Sequence, residues 1–133
     1  LFFLCRVGTI GRMYTVMVES EFFAEHQVVM PDGFQEPLHG HLWKVTAAVA
    51  SEKLDSAGLA FDFCRLQQFL SQILGPFADT KLEECEAFGR VNASAENLAR
   101  YVYDRLAMLI MPPIQLCWVE VLESPGCRVR YEP

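Results

Sequence analysis

An α+β fold is predicted: a four-stranded antiparallel sheet with two helices on one face, in the order ββααββ. Three features predict it. Two early segments alternate apolar and polar residues with the period of a strand. Two middle segments repeat apolar residues at helical spacing. The C-terminal part returns to alternation around a Pro-Gly turn. Helices packed on one face of an antiparallel sheet are the simplest way to bury both patterns. The 133 residues fit a single domain, 1–133.

Residues 12–24 form the first predicted strand, with Met13, Thr15 and Met17 on one side and Tyr14, Val16 and Val18 on the other. Pro31-Asp32-Gly33 and Pro37 mark 27–38 as loop. The second strand, 39–51, places His39, His41, Trp43, Val45, Ala47 and Val49 on one face, with Leu42, Lys44, Thr46 and Ala48 on the other. Phe61-Asp62-Phe63 leads into a helix carrying Phe63, Leu66, Phe69, Leu70, Ile73 and Leu74, stopped by Gly75-Pro76. Residues 76–92 are polar and irregular, and their acidic run Glu83, Glu84, Glu86 is expected to be a solvated surface. Ser94 is the expected N-cap of a second helix. Glu96 sits in its first turn, where the helix dipole favours a carboxylate. Its stripe is Leu98, Val102, Leu106, Leu109 and Ile110, and Pro112-Pro113 ends it. Residues 114–123 and 127–132 are the last two strands, joined by Ser124-Pro125-Gly126 as a type II turn.

A hydrophobic content of 52% and a charged content of 21% describe a chain that can build a core. A formal net charge of −6 argues against a nucleic-acid binder, which needs a basic field. The cysteines are Cys5, Cys64, Cys85, Cys117 and Cys127, odd in number and without a CxxC pair. They read as thiols in a reducing compartment, hence a cytoplasmic protein with no disulfide framework. Leu1-Phe2-Phe3-Leu4 is too short to span a membrane, and 1–11 reads as an N-terminal extension. The second face of the sheet also carries apolar residues, which points to a homo-oligomer.

The chemistry centres on Glu36-Pro37-Leu38-His39-Gly40-His41. His39 and His41 project from the same face of a strand, and His26, the third and last histidine, follows the first strand. Three imidazoles with one open position are a catalytic zinc pattern, although iron, nickel or copper also suit such a set. Glu36 can act as general base beside the metal or be an ordinary loop carboxylate. Glu123 shares a predicted face with Cys117, Val119 and Val121. There it suits recognition of the N–C–N edge of a pterin or guanine ring, or it is an exposed strand end.

Five blocks carry a resemblance. Phe23-Ala24-Glu25-His26, Leu38-His39-Gly40-His41-Leu42-Trp43, Gly58-Leu59-Ala60-Phe61-Asp62-Phe63, Ser94-Ala95-Glu96-Asn97-Leu98-Ala99 and Val121-Leu122-Glu123 occur in this order. Together they resemble the 6-pyruvoyl-tetrahydropterin synthase and 6-carboxytetrahydropterin synthase family. The resemblance implies a tunnelling fold, with trimers closing a barrel and trimers stacking into hexamers. It implies Zn2+ on His26, His39 and His41, and pterin anchoring by Glu123. Ser94 and Glu96 would line the pterin pocket, and the substrate would be 7,8-dihydroneopterin triphosphate.

The chain departs from the usual pattern twice. Family members commonly carry a catalytic cysteine just before HGH, but positions 30–38 hold none. Glu36 gives ExxHGH instead, which resembles the type that cleaves the side chain to 6-hydroxymethyl-7,8-dihydropterin for folate synthesis. The usual Asp-His pair after the first helix is represented by Asp79 followed by Thr80. A proton relay through that histidine is therefore lost. Either Glu36 handles the proton transfers alone, or the reaction differs, or the chain is a non-catalytic zinc- or pterin-binding homologue.

Overall fold

The computed structural model describes residues 12–133; the expected extension 1–11 lies outside the described residues. Strands β1 (Tyr14–His26) and β2 (His39–Ser51) pair antiparallel along their full length, from Tyr14–Ser51 to His26–His39. Helix α1 (Phe63–Leu74) follows, capped by the Asp62 carboxylate, which accepts the Cys64 N–H. After strand β3 (Thr80–Lys81) come helix α2 (Ala95–Ala107) and strands β4 (Gln115–Ser124) and β5 (Cys127–Tyr131). Ser94 caps α2 as expected, its hydroxyl accepting the Asn97 N–H at 3.1 Å. Gly126, with φ +82°, supplies the left-handed residue of the β4–β5 turn. Among the described residues no helix is long and apolar enough to cross a membrane.

The sheet has five strands in the order β3-β1-β2-β4-β5, not the expected four. The additional strand, β3, pairs parallel with Ala24 and Glu25. It is only two residues long, too short for a sequence period to reveal. The chain is steered onto the edge of β1 by Asp79, whose φ is +58° and whose N–H donates to Phe23 O at 2.7 Å.

One face of the sheet meets the helices. Val18, Phe22, Ala24, Trp43, Val45, Ala47, Val49, Val119 and Val121 pack there against Leu66, Leu70 and Leu74 of α1 and Leu98, Val102 and Leu106 of α2. Phe63, placed in the α1 stripe by its spacing, is exposed at the helix start. Segment 76–92 is also more than a solvated surface. Phe77, Leu82 and Phe88 are buried in the core, and Leu82 is fully inaccessible. Short 3-10 turns bury these side chains while the acidic ones between them face outward or sideways.

A register shift of β4 against β2 between Ala48 and Val49 alters the expected strand faces. The bulge turns Cys117 to the far side of the sheet, where it packs with Ala48 and Ala50, while Val119 and Val121 stay in the core. Cys64, Cys85 and Cys127 are free thiols. Arg128 and Arg130 also occupy the far face, where both bond the Glu120 carboxylate and Arg130 stacks on Trp118.

Candidate metal centre and active site

Antiparallel pairing sets His26 directly opposite His39, while His41 stands opposite Ala24. All three rings lie on the helix-facing side at one end of the sheet. Trp43, two residues beyond His41 on that face, forms the floor: its ring stands edge-on to His26 and His41, and its Nε1–H donates to Ala24 O at 3.1 Å. Glu123, at the end of β4, completes the group. Ligand atoms of His26, His39, His41 and Glu123 all lie within 4.8 Å of one another.

The second nitrogen of each of two rings is already committed. His26 Nδ1–H donates to Ala93 O at 2.6 Å, and His39 Nδ1–H donates to Pro37 O at 2.8 Å. In a neutral ring these bonds leave Nε2 bare. The two Nε2 atoms nevertheless face each other at 3.0 Å. Two lone pairs at that separation repel unless a cation lies between them. Nitrogens sharing one tetrahedral zinc at about 2.0–2.1 Å would stand roughly 3.3 Å apart. His41 Nε2 is buried without a hydrogen bond, 3.3 Å from Glu123 Oε2. An orphaned imidazole nitrogen and an opposed pair fit a bound metal ion, with carbonyls orienting the rings from behind as in established metal sites.

Burial holds the pKa of His41 below its ordinary value; Glu123 and Glu36 oppose this, and His26 and His39 reinforce it. The neutral, ligating form of the ring is thereby favoured.

Glu36 is half-buried, with Oε1 3.8 Å from His39 Nε2. The same oxygen accepts the Val28 N–H at 3.0 Å. Its carboxylate is thus held at the rim of the histidine cluster.

The other expected site residues divide. Ser94 uses its hydroxyl as the α2 cap, and Glu96 is exposed in the first turn. Asp79 is exposed on the turn into β3. Thr80, which stands where a histidine was expected, donates its hydroxyl to Phe77 O at 2.7 Å and so serves its own turn. Three contributors escaped sequence reasoning: the carbonyls of Ala93 and Pro37, and Glu83, which accepts the Gln27 N–H at 2.7 Å. A backbone carbonyl leaves no sequence signal, though the Ala93 carbonyl precedes a recognisable N-cap.

The model of the family described as 6-pyruvoyl tetrahydropterin synthase matches residues 15–133. The chain is 27% identical over 123 residues to a 6-carboxy-5,6,7,8-tetrahydropterin synthase of Synechocystis, covering 90% of this chain and 93% of that protein. Its fold is similar to that of the Caenorhabditis elegans 6-pyruvoyl tetrahydropterin synthase, with a TM-score of 0.80 and 19% identity over 92% of this chain and 97% of the other. It is also similar to the Plasmodium vivax 6-pyruvoyltetrahydropterin synthase, with a TM-score of 0.69 and 20% identity over 92% of this chain and 99% of that one. That enzyme has also been solved with a catalytic glutamate replaced by alanine and by cysteine.

Proposed function

This chain belongs to the 6-pyruvoyl tetrahydropterin synthase family, and from that premise we propose that it is a zinc-dependent lyase acting on 7,8-dihydroneopterin triphosphate. The product is 6-hydroxymethyl-7,8-dihydropterin, and Glu36 is the general base. The observation that carries this reading is the Glu36 carboxylate, three residues before His39 and 3.8 Å from its Nε2, in a segment without cysteine. A catalytic glutamate in the Plasmodium vivax enzyme supports it.

Glu123 receives the N–C–N edge of the pterin through two charge-assisted hydrogen bonds. Its Oε2 borders the histidine nitrogens, so a ring anchored there brings its side chain to the metal position. His26, His39 and His41 would hold Zn2+, which would supply positive charge beside a side-chain hydroxyl of the substrate. Glu36 takes the proton from the C2′ hydroxyl. The C1′–C2′ bond breaks, its electrons pass into the electron-poor pterin, and C1′ is reprotonated. The products are the hydroxymethyl pterin and a triphosphorylated two-carbon aldehyde. Asp79 is a further candidate for proton transfer, and Ser94 and Glu96 for the pocket wall. Arg128 and Arg130 lie on the opposite face of the sheet from the histidines, so in a trimer or hexamer the triphosphate draws its cations from elsewhere or from another subunit. We assign the protein to the cytoplasm on the ground that Cys64, Cys85 and Cys127 are free thiols.

A second reading, formation of 6-carboxytetrahydropterin, is favoured by the Synechocystis relative. Incubating metal-replete protein with 7,8-dihydroneopterin triphosphate and separating the pterins chromatographically decides between them. Hydroxymethyl pterin supports the lyase reading. A carboxy or pyruvoyl product overturns it, and absence of turnover leaves a pterin-binding homologue.

A further inference from the structure

The segment between β1 and β2 is an arm held from outside itself. Its own bonds close a narrow hairpin: Glu36 N–H to Val28 O at 3.1 Å, Met30 N–H to Phe34 O at 2.7 Å and Gly33 N–H to Met30 O at 2.8 Å. Residues 29–35 are exposed, so packing does not fix where the arm points.

Two side chains from a distant part of the chain do so. Glu83 accepts the Gln27 N–H through Oε2 at 2.7 Å. Asn92 brackets Val29, accepting its N–H at 3.1 Å and donating to its carbonyl at 2.9 Å. Asn92 is itself steadied by Asn97, whose Nδ2–H donates to its carbonyl at 2.9 Å. Between the clamped residues lies Val28, whose N–H holds the Glu36 carboxylate at 3.0 Å. The Gln27 side chain adds a bond to the Glu36 carbonyl at 3.2 Å.

Glu83 is an unusual choice for a plain structural tie. Its other oxygen, Oε1, is buried without a hydrogen-bond partner, a state that proteins generally avoid. A neutral acceptor would leave no such charge unsatisfied. What the carboxylate adds is a stronger bond, since hydrogen bonds to ionised acceptors are roughly twice as strong as neutral ones.

We infer that Glu83 is a positioning residue for Glu36. By fixing Gln27, with Asn92 as the second anchor, it aims the Val28 N–H at the Glu36 carboxylate. The inference rests on the reading of Glu36 as the base, and it gives the acidic run a part in the site.

Amide exchange followed by NMR on the metal-replete chain, paired with steady-state kinetics on dihydroneopterin triphosphate, tests it. In Glu83→Ala, protection of the Gln27 and Val28 amides should fall about tenfold, and kcat should fall about as much. KM and zinc content should stay unchanged. Glu83→Gln, whose amide oxygen still accepts but through a weaker neutral bond, should recover only about half of each loss on a logarithmic scale. Asn92→Ala alters an exposed residue and should loosen Val28 and lower kcat in the same direction, which keeps the test open if Glu83→Ala does not fold. Loss of protection at Gln27 with Val28 and kcat unmoved would reduce Glu83 to a local tie and overturn the inference. If the wild type itself does not turn over this substrate, the functional reading fails separately. The Val28 amide then decides alone: unchanged protection there rejects the clamp.

Discussion

His26 Nε2 and His39 Nε2 approach to 3.0 Å while the Nδ1–H of each ring is held by a carbonyl behind it. The fold brings these two nitrogens together and leaves His41 Nε2 buried beside them without a hydrogen bond. Three converging ring nitrogens suit a shared cation.

Metal should stabilise the fold. A zinc concentration about a thousand times the dissociation constant stabilises the folded state by roughly 4 kcal/mol. Calorimetry should show Tm rising by on the order of 10 °C over the chelated protein. His39→Ala should abolish most of the rise, and an unchanged Tm on adding zinc would remove the case for a metal site.

Stability should also depend on pH. Burial lowers the pKa of His41 in the folded protein, whereas an unfolded chain titrates it near 6.5. The unfolded state then binds more protons between the two values, so stability rises with pH in that window. In chelated protein, Tm should fall as pH drops from about 7 to about 5, and this part of the slope should shrink in His41→Gln.

Glu36→Gln keeps the size of the side chain but removes the base. Zinc content should be unchanged while kcat falls by about 10²–10⁴. Turnover at the wild-type rate with metal bound would exclude Glu36 as the proton acceptor.

Ser94→Ala should act at a distance. Loss of the cap costs about 1 kcal/mol of stability. It also loosens the turn that presents Ala93 O to His26. Orienting partners of metal ligands typically contribute 10–100-fold to affinity, so zinc competition assays should report weaker binding, by about tenfold, from a residue that touches no metal.

Leu82→Ala tests the buried side of segment 76–92. As a fully inaccessible residue, Leu82 should cost about 2–5 kcal/mol on truncation, measured by denaturant unfolding. Glu84→Ala, exposed nearby, should cost almost nothing.

The predicted second strand, 39–51, and the first helix are observed as expected, because their periods run for many residues and each apolar stripe finds the core. The second helix starts after Ser94 as expected but ends at Ala107, short of Leu109 and Ile110, so the expectation that it runs to Pro112-Pro113 fails. Segment 76–92 is different. Phe77, Leu82 and Phe88 are buried one at a time by short turns, and isolated anchors have no period to read. The bulge that moves Cys117 off the face of Val119 is invisible for the same reason: alternation continues through it in sequence but not in space.

The sequence by itself singled out His26, His39, His41 and the neighbouring Glu36 as candidates, because HxH on a strand needs only local geometry to project both rings the same way; the structure brings the three histidines together with Glu123. The sequence also determined the family, because five ordered blocks survive without contacts being known. Only the tertiary structure decided how those donors are held. Strand register put His26 against His39, the start of α2 supplied the carbonyl behind His26, and Glu83 reached Gln27 from 56 residues away. Such contacts depend on where the packed core brings distant backbone together, and no local pattern encodes that.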